Sequence, residues 1–196
     1  MHLGYEAVQK RKAERLSALR EELQYTCIDK ERILLEIGCG HGHYLAAYAE
    51  AHPEQFCVGI DLVSQRIEKA QRKISVKNLD NLAFFKAECM ECLECLPEET
   101  KIEAAFMLFP DPWPKSRHHK KRMIQPSFLT ALGNRCEPGT PFYFRTDHSG
   151  YLQWTREHFA EHPDWEESAE VDWPFENPSF FQDFMEDYGS LVALRQ

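Results

Sequence analysis

The chain has 196 residues, 43% of them hydrophobic and 28% charged, with 32 acidic against 23 basic side chains and a formal charge of −9. That length suits one domain with a closed core, and no apolar run approaches the roughly 20 residues a membrane span requires. The opening stretch MHLGYEAVQKRKAERL has neither the apolar centre nor the cleavage site of a secretory signal, so the expected compartment is the cytoplasm, with no membrane partner.

Residues 5–24 carry Ala7, Leu16, Leu19 and Leu23 among charges, a pattern that predicts an amphipathic helix. A strand–helix rhythm follows. Arg32–Ile37 is a short apolar run ending in glycines and predicts a buried strand; Tyr44–Glu50 predicts a helix. Phe56–Ile60 is a second strand, and Ser64 is placed to cap a helix reaching about Val76. Leu82–Phe85 is a third strand and Ile102–Phe109 a fourth, apolar enough for a central parallel strand buried on both faces. Pro126–Cys136 predicts a helix, Pro141–Thr146 a fifth strand and Tyr151–His162 a further helix. Trp165–Val171 and Leu191–Leu194 are weaker strands suited to an antiparallel edge. The fold class is therefore α/β, a doubly wound Rossmann-like sheet, mostly parallel, whose ligands bind beyond the carboxyl ends of the strands.

The unusual residues fall at those strand ends. Gly38, Gly40 and Gly42 form G-x-G-x-G between a strand and a helix. His43 stands where a dinucleotide-binding turn would carry its last glycine, and Glu36 inside the motif would repel a phosphate. A carboxylate there suits a cationic ligand, such as an amino acid bearing a sulfonium. Asp61, at the tip of the second strand, is placed to accept hydrogen bonds from ribose hydroxyls, and Glu88, at the next tip, from an adenine amino group.

After the fourth strand comes FPDPWPKSRHHKKRMIQPSF, residues 109–128. Its prolines hold the backbone extended and fix where Asp111 and Trp113 point. Lys115, Arg117, His118, His119, Lys120, Lys121 and Arg122 then offer a dense set of phosphate partners. A second basic stripe, Lys10, Arg11, Lys12, Arg15 and Arg20, lies near the N-terminus. An acidic body with two such stripes is compatible with an RNA partner.

Other signals carry less. Seven cysteines without an export signal predict reduced thiols. Cys89, Cys92 and Cys95 lack the fourth cysteine of an iron–sulfur run, and their spacing places them along one helical stripe, so no metal is expected. Trp165, Trp173, Phe175, Phe180, Phe181 and Phe184 are expected to pack in a core or lid.

The first constellation resembles the class I S-adenosylmethionine-dependent methyltransferases. The second resembles the bacterial tRNA (guanine-N7)-methyltransferase family, whose P-D-P-W-x-K-x-R-H-x-K motif is met by Pro110, Asp111, Pro112, Trp113, Lys115, Arg117, His118 and Lys120. Thr146-Asp147 matches the family's later T-D, and Ser179-Phe180-Phe181-Gln182 its T-x-[YF]-E, with Gln182 replacing the glutamate. Members usually carry a longer basic arm than the 30 or so residues before Arg32.

The resemblance implies one methyltransferase domain: a helical extension (1–31), a cofactor-binding core (32–146) and a substrate-facing part (147–196). It implies that Glu36, Asp61, Glu88 and Asp111 contact S-adenosylmethionine, with S-adenosylhomocysteine as product. Lys115, Asp147 and the stretch from Ser179 to Gln182 would contact tRNA. Arg117, His118 and Lys121 complete the expected substrate set, and Asp111 is the expected catalytic group. The expected activity is methylation of N7 of a variable-loop guanine by a monomer or a homodimer. Alternatives are a methyltransferase for another RNA site or a small molecule, and a cofactor-binding module that docks RNA or protein without turnover.

Overall fold

The computed structural model describes residues 2–176 and 187–196. Its first helix, α1 (His2–Cys27), leads into β1 (Arg32–Ile37), α2 (His43–Ala51), β2 (Cys57–Asp61), α3 (Ser64–Lys77) and β3 (Leu82–Lys86). Then come α4 (Cys89–Cys95), β4 (Lys101–Leu108), a 3-10 helix (Ser116–Lys121), α5 (Pro126–Gly133), β5 (Pro141–Thr146), α6 (Ser149–Glu161), β6 (Trp165–Glu167) and β7 (Gly189–Arg195). The sheet order is β3-β2-β1-β4-β5-β7-β6, with β7 antiparallel to both its neighbours and every other pairing parallel. The order reverses between β1 and β4, so the ends of these strands flank the crevice where a doubly wound sheet takes its ligand.

Side-chain alternation along β1 explains the two layers. Ile33, Leu35 and Ile37 enter a core with Leu19 and Leu23 of α1, Leu93 of α4, Phe128 of α5 and Phe159 of α6. Leu34 enters the opposite core, with Tyr44 and Leu45 of α2 and Ile67 of α3. Trp173 and Phe175 pack against that second core and Trp165 lies in the first, whereas Phe180, Phe181 and Phe184 lie outside the described residues.

Three details differ from the sequence expectations for local reasons, and one agrees. Val63, not Ser64, caps α3, because the Asp61 carboxylate accepts from the Val63 N–H at 2.8 Å and turns the chain one residue earlier. The helix α5 stops at Gly133, and Arg135 beyond it donates to the carbonyls of Leu93, Leu96 and Pro97, satisfying the end of α4. The cysteines Cys89, Cys92 and Cys95 lie buried along α4 as their spacing predicts, in the same core as Cys27. In the N-terminal stripe, Arg15 pairs with Glu91 and Arg20 with Glu94 at 3.4 Å, so these two cations fasten α1 to α4.

Asn81, just before β3, is buried and donates its side-chain amide to the carbonyls of Ala49, His52 and Gln55 at 2.9–3.0 Å. These carbonyls close the end of α2 and the turn into β2, and alanine would remove the one donor that ties all three together. Asn81→Ala is expected to lower the free energy of unfolding by about 2 kcal/mol, read from urea denaturation.

Candidate active site

The turn after β1 is built by three glycines in the left-handed region, with φ of 77° at Gly38, 54° at Gly40 and 66° at Gly42. They serve different ends. A Cβ on Gly42 would lie 2.5 Å from the Phe84 ring and 2.9 Å from Ala70 Cβ, so this glycine lets α2 approach α3 and β3. A Cβ on Gly38 or Gly40 would meet nothing within 4 Å, leaving bare backbone against open space.

Glu36 lies on the α2 side of β1 and lines that space, yet its residue is only 3% exposed. Its Oε2 is buried with no hydrogen-bond partner among the described residues. Burial pushes the carboxyl up to about 8; the Leu45 N–H at the start of α2 opposes that rise, and the nearby Asp61 charge adds to it. A carboxylate held this way costs the fold free energy unless a cation reaches it.

Asp61 is buried at the end of β2. Its Oδ2 accepts from the Gly40 N–H at 3.1 Å, Oδ1 accepts from the Val63 N–H, and the Arg66 guanidinium stands 3.4 Å away. The residue expected to hold a ribose therefore also locks the glycine turn to β2. Arg66 lines the crevice together with Glu36, Gly38, Gly40, Tyr44 and Phe109. As closed here, the crevice encloses about 90 Å³, less than a nucleoside-sized ligand needs. Arg66 is half-exposed, so its displacement would widen the crevice and leave Asp61 held only by its two backbone N–H groups. Glu88 is the N-cap of α4, with Oε2 accepting from the Glu91 N–H at 3.1 Å.

The segment after β4 is held in an uncommon backbone shape. Phe109 and Trp113 have φ of 51° and 44°, a conformation that costs about 1–3 kcal/mol for such side chains. The Phe109 N–H donates to the Arg145 carbonyl at 2.7 Å, extending the β4–β5 pairing. The buried Arg122 donates to the carbonyls of Pro112 at 2.9 Å and Gly150 at 3.2 Å, and its guanidinium lies 4.9 Å from the Tyr151 ring and 5.2 Å from that of Trp154. Arg122 is thus the bolt between the proline segment and α6, and the expectation that it holds phosphate is corrected. Burying a guanidinium demands fixed acceptors, which these carbonyls supply.

With that bolt in place, Asp111 stands exposed at the crest of the segment, without a hydrogen bond or ion pair among the described residues. Asp147, exposed just after β5, stands at the neighbouring strand end. Lys115, Arg117, Lys120 and Lys121 are exposed along the 3-10 helix. Lys121 Nζ sits 4.4 Å over the Trp113 ring, His118 meets that ring edge-on, and Arg117 Nε lies 3.3 Å from His118 Nε2. The structure thus gathers Glu36, the glycines and Asp61 at one side of the crevice and Asp111, Lys115, Arg117, His118, Lys121 and Asp147 beyond β4 and β5. Ser179 and Gln182 lie outside the described residues.

One residue escaped the sequence reading. Arg145 in β5 is 4% exposed, donates to Ser190 Oγ at 2.8 Å and to both carboxylate oxygens of Glu176, and stacks 3.8 Å from the Trp173 ring centroid. A lone cation within the apolar run PFYFRT was the available signal.

A family model described as a putative methyltransferase matches residues 30–193. A protein from Rhodospirillum rubrum named tRNA (guanine-N(7)-)-methyltransferase is 35% identical over 145 residues, 73% of this chain and 56% of its own length. A protein of the same name from Nitrosococcus oceani is 35% identical over 132 residues, 67% of this chain and 56% of its own. The chain thus spans little more than half the length of these relatives. Among solved structures, the 16S rRNA methyltransferase KamB superposes with a TM-score of 0.61 at 18% identity, over 84% of this chain and 88% of that one.

Glu36 makes a pH-dependent contribution of definite sign. Its carboxyl is raised from 4.5 to about 8, so across that window the folded chain keeps a proton that the unfolded chain has released. The associated stability is complete below the lower value and lost as pH rises through the upper one. The melting temperature is expected to fall between about pH 5 and pH 8.5, and Glu36→Gln to flatten that slope and melt higher at the alkaline end, read by calorimetry.

Proposed function

Because the chain belongs to the putative-methyltransferase family, we propose that it transfers a methyl group from S-adenosylmethionine to N7 of a guanine in tRNA. The observation that carries this reading is the partnerless buried oxygen of Glu36 beside the open faces of Gly38 and Gly40. That donor set fits a ligand with a cationic amino-acid end and tolerates no phosphate. When bound, S-adenosylmethionine supplies an electrophilic methyl group on a sulfonium sulfur.

The residues then divide the work. Glu36 neutralises the ligand's ammonium, and the backbone at Gly38 and Gly40 lies against its methionine portion. Asp61, released from Arg66, accepts from the ribose hydroxyls, and Glu88 accepts from the adenine amino group. Guanine N7 carries an in-plane lone pair that is unprotonated at neutral pH, so the chain need supply no general base. Its contribution is positioning and exclusion of water, effects that lower a barrier by about 7–11 kcal/mol in well-oriented systems. As the N7–C bond formed and the methyl–sulfur bond broke, positive charge would pass from the sulfur to the purine, where the Asp111 carboxylate would stabilise it. Asp147 accepts from the N–H groups of the guanine edge, with Ser179 and Gln182 assigned to the same task. Lys115, Arg117, His118 and Lys121 hold phosphates.

We assign residues 1–31 as a helical extension, 32–146 as the cofactor-binding core and 147–196 as the substrate-facing part of one domain, acting in the cytoplasm. No helix among the described residues is long and apolar enough to cross a membrane.

The decisive assay is transfer of labelled methyl to bulk tRNA, followed by cleavage chemistry selective for 7-methylguanosine. Asp111→Ala is expected to lower kcat at least about 100-fold while circular dichroism stays unchanged. Label on another nucleoside would move the substrate, and normal turnover in the variant would remove Asp111 from the mechanism.

A further inference from the structure

The helix α3 presents a second cationic surface, on the far side of the crevice from the 3-10 helix. Lys69, Arg72 and Lys73 recur at intervals of three and four residues, and so share one face. With His41, His43 and Val76 they line an open concavity. None of the three cations forms an ion pair among the described residues, although acidic side chains outnumber basic ones 32 to 23 in the chain. Glu68, four residues before Arg72, leaves it unpaired as well. Elsewhere on the same helix the cations do find carboxylates: Lys77 pairs with Glu50, and Arg66 with Asp61.

This crowding is unfavourable. Partial burial and the neighbouring Lys69 charge hold Lys73 below the ordinary lysine range. Desolvation first, then the surrounding lysines, lowers both imidazoles. A face that keeps like charges together without counter-charges is relieved when an anion docks on it.

The location indicates which anion. His41 and His43 line this concavity and also the crevice, so the two are continuous. The basic 3-10 helix follows β4, three strand spacings from β3, about 15 Å at the usual interval. The concavity is open and its lining holds one apolar side chain, Val76, which suits an extended polyanion better than an enclosed small ligand or an inserted lipid chain.

We propose that Lys69, Arg72 and Lys73 form a second docking surface for the phosphate backbone of the tRNA, so that the RNA lies across the crevice and is gripped on both sides of it. The proposal rests on the tRNA methyltransferase reading above. Contacts of this kind fix register and orientation without reading bases.

The test compares the full chain with the triple variant Lys69→Ala/Arg72→Ala/Lys73→Ala. Its readouts are filter binding of tRNA at about 50 to 200 mM salt, steady-state methyl transfer, and calorimetry with S-adenosylhomocysteine. The triple variant is expected to raise the KM for tRNA about tenfold or more, and to reduce the slope of log affinity against log salt by about 2. Its kcat and its affinity for S-adenosylhomocysteine should be unchanged, and Lys77→Ala on the same helix should alter nothing. Should the triple variant melt early, the single variants Lys69→Ala and Arg72→Ala stand in, each lowering the slope by about 0.7. An unchanged KM and slope in a protein that methylates tRNA would overturn this surface and leave the function standing. Loss of S-adenosylhomocysteine affinity would assign these cations to the crevice instead and overturn the proposal. Wild-type protein that neither binds nor methylates tRNA would overturn both.

Discussion

A carboxyl group with a buried, partnerless oxygen sits at the end of the central strand, and the arrangement around the crevice follows from it. Glu36 shares its strand face with Leu34, so the alternation that builds one core also carries an acid into it. The glycine turn immediately beyond keeps a side chain from covering that acid, and the first turn of α2 points a backbone N–H toward it. Asp61 then ties the turn to β2 from the other side. The fold tolerates an unfavourable group at one point and surrounds it with rigid backbone, so the penalty is relieved by a ligand of the right charge more readily than by local collapse.

The cations show a matching division. Arg15, Arg20 and Arg122 look interchangeable with their neighbours as letters in a basic stretch, and Arg145 stands alone in an apolar run, yet each has a fixed structural partner. Lys115, Arg117 and Lys120 remain exposed beside them. In the proline segment the two kinds alternate at close range: Arg122 is buried under α6, and its bonds to Pro112 and Gly150 hold the shape that presents Asp111 outward. A planar guanidinium with several fixed donors suits this work better than an ammonium would.

Much of this was legible in the sequence where short-range pattern decides structure. The bounds of β1 and β5 agree with the apolar runs RILLEI and PFYFRT, and Glu36, the glycines and Asp61 stand where strand ends were expected. Position within the sheet was less legible. The place of β7 between β5 and β6 depends on pairings between distant segments, which no local periodicity encodes. Arg122 was assigned to phosphate and Arg145 was missed for a related reason: burial of a cation depends on carbonyls and rings brought from α6, Trp173 and Glu176. The bonds of Asp61 and Glu88 to backbone N–H groups, which stand beside the ligand roles proposed for them, likewise appear only with coordinates.

The burial of the cysteines has a chemical consequence. Apolar surroundings push the thiol of Cys27 up to about 11 and those of Cys57, Cys92 and Cys136 to about 12, with Cys39, Cys89 and Cys95 also raised. At neutral pH almost none of this sulfur is present as thiolate, the form that attacks electrophiles and peroxides. An odd number of thiols therefore coexists in one chain with little tendency to scramble, and even Cys39, which lines the crevice, is held in the unreactive thiol form beside the proposed methyl donor.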